Sequence, residues 1–392
     1  MLKKILILGG GYGGLVSALT ARKYLDAQQA EITLINRWPT HQIITELHRL
    51  AAGNLSEQSV GLPLDKLLKG KDIHLQISTV EQIKPNEKQV LMKSGKIYAY
   101  DLLVVALGSE TAFFGIPGLE QNSFTLKSID DANRIRAHIQ SKIESYSLSK
   151  DKSDATIVVG GGGLTGVELV GELADMMPDW CLHYGVDMND ISIYCVEASP
   201  NILNGFDPEL IERAQSSLQK RGIQFITGVP ITEINENIVH LKDGRSIQTN
   251  TLVWTGGVQG NPIVANSGIE VNRGRATINE FLVSTSHSDI FLAGDSAIYM
   301  DENGRPYPPS AQLAWQMGET VGYNIYAACK ELPMKAFQPV LSGKLASLGR
   351  KDAIAAIGER ETHLKGLPAS LLKEASKARY LAHIKGLFAY AY

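Results

Sequence analysis

Two glycine-rich turns with phosphate-binding spacing lie about half the chain apart. The first follows residues 5–8 and the second follows residues 156–159, both short apolar runs that predict buried parallel strands. Glycine at such offsets lets a strand turn tightly into a helix, whose unpaired N-terminal amides and positive dipole end attract a phosphate. The pair therefore predicts two bound dinucleotides. The first turn comprises Gly9, Gly10, Gly11, Tyr12, Gly13 and Gly14, and the second spans 160–166.

Each glycine of the pattern has its own physical role. Gly9 allows the tight turn, Gly11 lets the backbone approach a pyrophosphate, and Gly14 lets the helix lie close to the sheet. The alternative is a pair of glycine-rich turns that bind nothing, which the strand and helix around both copies disfavour. The same offsets are held in the second copy by Gly161, Gly163 and Gly166.

The residues that end the next strand of each unit are candidates to bind a ribose. Asn36 stands where an acid usually accepts both ribose hydroxyls, and an amide can accept one hydroxyl and donate to another. Glu197 ends the corresponding strand of the second unit, and a carboxylate there favours NADH because it repels the 2′-phosphate of NADPH. Its long spacing from Gly166 predicts an inserted helix end and loop over 176–189. A solvent-exposed glutamate at a strand end is the alternative.

A third strand end carries an aspartate. The apolar run 289–293 ends at Gly294 and Asp295. An aspartate held at such an end can accept a hydrogen bond from a ribityl hydroxyl. A turn or helix-cap role is the alternative, and the spacing does not decide between them.

A pair of glutamines follows a predicted helix start. Pro308, Pro309 and Ser310 are favoured opening residues of a helix, so Gln312 and Gln316, four residues apart, share one helical face. A helix N-terminus stabilises a negative charge that develops on a ligand lying against it. A polar, solvent-exposed helix face is the alternative.

Glu168 is placed by the sequence in the first turn of the helix that follows Gly166. A carboxylate there could orient a nicotinamide carboxamide or help protons to reach an electron acceptor. A glutamate that is favoured only by the helix dipole is the alternative.

The elements that position these residues predict an α/β fold with two Rossmann-like dinucleotide-binding units. Antiparallel pieces over 78–83 and 88–92 and a buried strand over 100–108 extend the first unit. The segment 115–118, rich in glycine and proline, predicts a hinge, and the second unit spans about 154–255.

Composition excludes several classes of protein. The 392 residues suffice for two or three domains, and a formal net charge of −3 gives no electrostatic case for nucleic-acid binding. No run of about eighteen uncharged apolar residues occurs, so no membrane-spanning helix is predicted. Cys181, Cys195 and Cys329 lie far apart, which argues against a metal cluster or a dithiol redox centre.

The tail from 364 to 392 has a different character. Apolar residues recur at helical intervals, and the basic residues among them are opposed only by Glu374. Basic amphipathic helices of this kind lie on anionic membrane surfaces, whereas a helix docked on the protein body or on a second subunit is the alternative. The apolar residues are Leu367, Leu371, Leu372, Ala375, Leu381, Ile384, Leu387 and Phe388, the basic ones are Lys365, Lys373, Lys377, Arg379 and Lys385, and the tyrosines suited to a membrane interface are Tyr380, Tyr390 and Tyr392.

These motifs resemble those of the two-dinucleotide flavoprotein reductases and, among them, the type II NADH dehydrogenases, which are single-subunit NADH:quinone oxidoreductases. The resemblance covers nearly the whole chain and rests on residues 161–173, 253–258 and 311–316. The last segment is similar to the A-Q-x-A-x-Q quinone-site motif of that family. The implied regions are an FAD domain at 1–112 and 263–335, an inserted NADH domain at 113–262, and a C-terminal amphipathic region for membrane association or dimerisation at 336–392.

The resemblance also implies a role for each candidate residue. Glu168 and Gln316 would be catalytic, and Gln312 and Gln316 would meet the quinone. Non-covalent FAD would be held by Gly9, Gly10, Gly11, Tyr12, Gly13, Gly14, Asn36, Arg37, Val80, Gly294, Asp295, Ala311 and Gln312, and NADH by Gly161, Gly163, Gly166, Glu197 and Gly257.

The function implied by the resemblance is transfer of two electrons from NADH through FAD to a membrane quinone, menaquinone or ubiquinone, without proton pumping. The protein would be a peripheral homodimer on the cytoplasmic face of the cell membrane, with no metal and no nucleic-acid partner. A sulfide:quinone or ferredoxin reductase is the nearest alternative, although sulfide oxidation needs cysteines at the flavin. A flavin-bound redox sensor or scaffold is the alternative from another class.

Overall fold

The computed structural model describes residues 2–358 and 360–385, so Leu387, Phe388, Tyr390 and Tyr392 of the predicted C-terminal helix lie outside the described residues. The strands are β1 Lys3–Leu8, β2 Ala30–Asn36, β3 Thr40–Gln42, β4 Gly61–Pro63, β5 Ile73–Ile77, β6 Val80–Lys84, β7 Gln89–Met92, β8 Ile97–Ala99, β9 Leu102–Val105, β10 Ser109–Thr111, β11 Phe124–Thr125, β12 Thr156–Gly160, β13 Ser192–Glu197, β14 Ile223–Thr227, β15 Ile231–Asn235, β16 Ile238–Leu241, β17 Ser246–Gln248, β18 Thr251–Trp254, β19 Val258–Gly260, β20 Val271–Asn272, β21 Arg275–Thr277, β22 Ile290–Leu292, β23 Ala297–Ile298, β24 Gly343–Ser347, β25 Ala353–Ile357 and β26 Thr362–Lys365. The helices are α1 Tyr12–Tyr24, α2 Leu47–Ala51, α3 Glu57–Val60, α4 Leu64–Leu68, α5 Ile129–Ser149, α6 Leu164–Tyr184, α7 Pro208–Gln219, α8 Pro262–Ala265, α9 Ala311–Lys330 and α10 Leu367–Lys385.

The first parallel sheet has the strand order β22-β9-β1-β2-β5. Its central strand β1 buries four successive apolar residues, the pattern expected when helices cover both faces of a parallel sheet. Leu8 pairs with Ile35 on one side and with Val105 on the other. The strands therefore end along one edge, which collects the Gly9 turn, Asn36 and Asp295. Such an edge is where open α/β sheets bind their ligands.

The second parallel sheet repeats this arrangement with the order β11-β18-β12-β13-β14. Gly160 pairs with Val196 and with Trp254, so the carboxyl edge brings the second glycine turn beside Glu197. This sheet is built from residues that lie between β9 and β22 in the chain. The α/β class with two Rossmann-like units, one of them discontinuous, is confirmed.

Helix α9 lies against α1 because glycines open the contact between them. An added Cβ on Gly318 would come 2.5 Å from the Gly13 carbonyl oxygen, and one on Gly322 would come 2.5 Å from the Thr20 Cβ. The close approach holds the start of α9 beside the first glycine turn.

Helix α6 contains the helix end that was predicted before Glu197. It runs without a break through Pro178 to Tyr184 and ends at Gly185, whose φ of 66° suits a left-handed helix cap. The extra length before Glu197 is thus a longer helix, followed by a short 3-10 turn over 188–190. Among the described residues, no helix is both long enough and apolar enough to cross a membrane.

Candidate functional site

The first glycine turn shows three different reasons for glycine. Gly9 has a φ of 101°, and an added Cβ would come 2.2 Å from the Ala106 carbonyl oxygen. An added Cβ on Gly14 would come 1.9 Å from the Gly9 carbonyl oxygen, so the helix could not pack there. At Gly11 an added Cβ would meet nothing within 4 Å. Gly9 and Gly14 therefore serve the fold, whereas the space above Gly11 is open for a ligand.

The second turn repeats this division of roles. Gly161 has a φ of 107°, and an added Cβ on Gly166 would come 1.9 Å from the Gly161 carbonyl oxygen. Above Gly163 the space is open to at least 4 Å. The chain therefore builds the same backbone cradle twice.

The helices that follow the two turns begin without a side-chain cap. Helices α1 and α6 have no capping side chain and no acidic residue in their first turn. Helices α5, α7 and α9, in contrast, are capped by the side chains of Ser128, Asp207 and Ser310. The first amides of α1 and α6 are thus left for another acceptor, and a phosphate is the group that such helix ends bind.

One cavity of about 2310 Å³ joins the two turns and the start of α9. Four of the predicted residues, Gly14, Gly161, Gly166 and Gly257, are not part of its lining. The predicted residues that line it are Gly9, Gly10, Gly11, Tyr12, Gly13, Asn36, Arg37, Val80, Gly163, Glu168, Glu197, Gly294, Asp295, Ala311, Gln312 and Gln316.

Asn36 and Glu197 both brace the turn beside them. The Asn36 side chain accepts the Gly10 N–H at 2.9 Å and donates to the Trp38 carbonyl at 2.8 Å. The two oxygens of Glu197 accept the N–H groups of Gly162 at 2.5 Å and Ser199 at 2.7 Å. The sequence did not indicate this second role, which depends on the approach of two strand ends.

The two glutamines of α9 share a face, as predicted, and bind one loop. The Gln316 amide donates to the Val340 carbonyl at 2.9 Å and accepts the Val340 N–H at 2.8 Å. Gln312 donates to the same carbonyl at 2.8 Å and to the Ser342 hydroxyl at 3.0 Å. Val340 itself is 65% exposed. The glutamines thus hold an apolar residue at the mouth of the cavity.

Glu168 lies in a cluster of charged groups that the sequence could not assemble. One of its oxygens accepts the Lys373 ammonium at 2.8 Å and the Ser347 N–H at 3.1 Å, and the other lies 3.6 Å from Nδ1 of His48. Because α6 begins at Leu164, Glu168 is beyond the first turn, and the prediction that placed it there was wrong. A simple helix-dipole role is correspondingly weakened.

His48 is a buried neutral base beside this pair. Its pKa is held well below the usual value by burial first and by the charges of Lys373 and Arg49 second. Its Nε2 lies 3.0 Å from the Lys373 ammonium and therefore accepts from it. Glu168, Lys373 and His48 thus form one hydrogen-bonded group at the cavity wall.

Helix α10 docks on the protein body. The prediction that its basic residues are opposed only by Glu374 was wrong, because Lys373 binds Glu168 and Lys377 lies 3.4 Å from Glu46. Glu374 itself binds Arg49 of the body at 2.7 Å. The paired part of the helix lines the cavity, which supports the docking alternative for these residues.

A buried tyrosine ties α10 to the first glycine turn. The Tyr380 hydroxyl lies 2.9 Å from Nε2 of His41, whose Nδ1 lies 2.8 Å from the Gly10 carbonyl oxygen. Burial lowers the pKa of His41 to about 4, so the ring is neutral, donates from Nδ1 and accepts at Nε2. The Tyr380 and Tyr12 rings lie 4.5 Å apart between their centroids.

Comparison with known proteins places the chain in a family. Residues 3–318 match the pyridine nucleotide-disulphide oxidoreductase family. The chain is 36% identical over 391 residues to the type II NADH:quinone oxidoreductase of Staphylococcus haemolyticus, which covers 98% of this chain and 96% of that protein. A type II NADH:quinone oxidoreductase of Staphylococcus aureus has the same identity and coverage. The chain belongs to the type II NADH:quinone oxidoreductase family.

Solved structures have the same fold as this family member. NDH2 of Plasmodium falciparum, in complex with NADH, matches with a TM-score of 0.88 and 19% identity over 97% of this chain and 95% of that chain. The sulfide:quinone oxidoreductase of Aquifex aeolicus matches with a TM-score of 0.81 and 22% identity over 98% of this chain and 91% of that chain. Likeness at such identities establishes the fold and not the substrate.

Cys181 and Cys195 of this type II NADH:quinone oxidoreductase family member are buried thiols, and Cys329 is partly buried. Burial raises the pKa of Cys181 to about 11 and that of Cys195 to about 12, so neither is a thiolate at neutral pH. Neither they nor Cys329 is among the residues that line the cavity. Sulfide chemistry at the flavin, one of the sequence alternatives, has no support from them.

Gly257 lies beside an aromatic residue that the sequence did not indicate. An added Cβ on Gly257 would come 2.6 Å from Cζ of Phe114, which is 68% exposed and has a φ of 52°. Gly257 thus leaves room for the Phe114 ring, and the family role predicted for it at the nicotinamide stays a prediction.

We expect His41 to make the stability of the protein pH-dependent. Because its folded-state pKa of about 4 is below the unfolded value of about 6.5, stability is full above about pH 6.5 and falls by about 3 kcal/mol as the pH drops from there to about 4. His41→Gln keeps a donor and an acceptor but cannot be protonated, so its stability should fall less over this range. Urea unfolding of the unaltered protein and of the variant at pH 7 and pH 4.5 measures how much stability each loses. The contribution of His48 is present in both proteins and cancels in the comparison. Equal losses of stability would contradict the assignment to His41.

Proposed function

We propose that the protein oxidises NADH and transfers two electrons through non-covalently bound FAD to a membrane quinone, without pumping protons. The observation that carries the proposal is that both glycine turns line one cavity, together with the first residues of α9. The helices that follow the two turns, α1 and α6, have no side-chain cap. Two dinucleotides need two such turns, and electron transfer between them needs a shared space. Membership of the type II NADH:quinone oxidoreductase family supports the same assignment.

The first turn fits FAD on structural grounds. The space above Gly11 is open, the first amides of α1 have no side-chain cap, and Asp295 lines the same cavity. Gly9 to Gly13 would hold the diphosphate, Asn36, Arg37 and Val80 the adenosine end, and Gly294 and Asp295 the ribityl chain. The redox chemistry would be supplied by the bound flavin, which accepts a hydride and returns electrons to an acceptor.

The start of α9 would stabilise charge on the flavin ring. Ala311 and Gln312 open the helix and line the cavity, and the Ser310 side chain accepts the Leu313 N–H. The remaining N-terminal amides and the helix dipole favour a negative charge beside them.

The second turn would bind NADH only transiently. Gly163 leaves the space above α6 open, and Gly161 and Gly166 shape the turn. Glu197 would meet the ribose hydroxyls and repel a 2′-phosphate. Glu168 and Gly257 would lie near the nicotinamide.

The quinone would approach along the polar face of α9. Gln312 and Gln316 hold the Val340 loop at the cavity mouth, so their side chains would position both that loop and the quinone headgroup. Glu168, which is hydrogen-bonded to Lys373, would relay protons to the reduced quinone.

A steady-state assay tests the proposal and its alternatives. The FAD-loaded protein is supplied with NADH or NADPH and with menaquinone or ubiquinone analogues of short chain. Rapid NADH oxidation coupled to quinone reduction is expected. Slow flavin reduction without acceptor turnover would favour a redox sensor, sulfide oxidation would favour a sulfide:quinone reductase, and a clear NADPH preference would overturn the role of Glu197.

We further propose peripheral membrane binding by a homodimer on the cytoplasmic face of the cell membrane. The exposed side chains of Leu367 and Leu371, 56% and 61% accessible on α10, support a lipid contact at this helix. The basic residues Lys373 and Lys377 are already paired with the body, so apolar contact would dominate in this part of α10.

The double variant Leu367→Asp, Leu371→Asp should bind vesicles at least about tenfold more weakly, because each leucine loses its apolar burial in lipid. Co-sedimentation with phosphatidylglycerol vesicles measures the partition. Leu148→Asp is the matched control, since Leu148 is 85% exposed at the end of α5 and should leave binding unchanged. Unchanged partition of the double variant would place the lipid contact elsewhere.

A further inference from the structure

Lys127 reaches the cavity through a short chain of hydrogen bonds. Its ammonium donates to the Ser109 hydroxyl at 3.0 Å, and that hydroxyl donates to Oδ2 of Asp295 at 2.8 Å. Because a serine has only one hydroxyl proton, the donation from Lys127 directs that proton to Asp295. Among the described residues, Oδ1 of Asp295 has no protein donor, so this oxygen is left for a ligand.

The chain of bonds crosses from one dinucleotide unit to the other. Lys127 follows β11 of the second sheet, whereas Asp295 follows β22 of the first, and both residues line the common cavity. Neither the glycine pattern nor the family motifs pointed to Lys127. The position of the Asp295 side chain in the first unit therefore depends on how the second unit, which carries Lys127, packs against it.

The groups around Lys127 shift its pKa in opposite directions. Burial lowers its pKa, and the carboxylates of Asp295 and Glu110 oppose that effect, while Arg275 and Arg37 add to it. Because burying a charged group costs free energy, we attribute the position of the Lys127 ammonium to its hydrogen bonds and charge rather than to packing.

We propose that Lys127 is a positioning residue of the flavin site, which orients Ser109 and Asp295 so that Asp295 accepts a hydroxyl of the ribityl chain. The proposal rests on the proposed binding of FAD at the Gly9 turn. It assigns Lys127 a role toward the polyol part of the ligand and not toward the diphosphate.

The test compares two ligands that share the adenosine diphosphate part. Apoprotein is titrated with FAD by quenching of flavin fluorescence, and ADP is measured by its competition with FAD. Lys127→Met should weaken FAD binding about tenfold, the loss of one hydrogen bond to a charged group, and should change ADP binding less than about twofold. Lys127→Arg keeps a charged donor and should restore most of the affinity.

A double-mutant cycle separates positioning from a general loss of stability. Ser109→Ala should weaken FAD binding as much as Lys127→Met does, and the two changes together should cost no more than either alone. Lys66→Met removes an exposed lysine outside the cavity lining and is the matched control. Additive losses, or an equal loss of ADP binding, would overturn the proposal. Failure of the unaltered protein to bind FAD would instead overturn the proposed function.

Discussion

Replacing Gly11 by valine is expected to abolish FAD binding while the protein stays folded. An added Cβ at Gly11 meets no protein atom within 4 Å, so the side chain enters the cavity instead of the core. It would occupy the space in which a diphosphate meets the amides of α1. The loss of two or more charge-assisted hydrogen bonds corresponds to about a hundredfold or more in affinity. The flavin absorbance of the purified protein and FAD titration of the apoprotein measure it.

The equivalent substitution in the second turn is the matched control. Gly163→Val should leave FAD content intact and raise the KM for NADH, because Gly163 has the same open space in the other unit. Gly14→Ala should instead lower stability, since its Cβ would lie 1.9 Å from the Gly9 carbonyl oxygen. Loss of FAD from the Gly163 variant together with retention in the Gly11 variant would reverse the proposed order of the two sites.

Glu168→Gln is expected to slow turnover with quinone by about a hundredfold, the usual contribution of a general acid or base. The glutamine oxygen can still accept from Lys373 and from the Ser347 N–H, so α10 should stay docked and FAD content should be unchanged. Steady-state kinetics with NADH and a soluble quinone, and stopped-flow reduction of the flavin by NADH, locate the affected half-reaction.

A second ion pair between α10 and the body provides the control for that variant. Glu374→Gln removes the charge of one of the three carboxylates beside Arg49, the other two being Glu46 and Glu172, without changing a residue of the cavity lining. Exposed pairs of this kind contribute little, so turnover should stay within about twofold of the unaltered protein. If the Glu374 variant were as slow as the Glu168 variant, Glu168 would serve only to dock α10. Unchanged kinetics of Glu168→Gln would remove it from the catalytic residues.

The glycine turns and the α/β class could be predicted because their signals are local. Gly9, Gly11 and Gly14 lie within six residues, and the backbone geometry of one turn accounts for all three. The start of α9 after Pro308 and Pro309 is equally local, as is the shared face of Gln312 and Gln316. The sequence alone therefore determined the two cradles, the strands before them and the family resemblance.

Tertiary structure decided which distant side chains meet at the cavity. Lys373 reaches Glu168, Tyr380 reaches His41, and Lys127 reaches Asp295 through Ser109, all across long stretches of chain. Within the tail itself only Glu374 opposes the basic residues, yet Lys373 and Lys377 have acidic partners on other elements of the body. The periodicity of a sequence indicates which side of a helix is polar. It does not indicate which residues contact that side, because this depends on how separate elements pack.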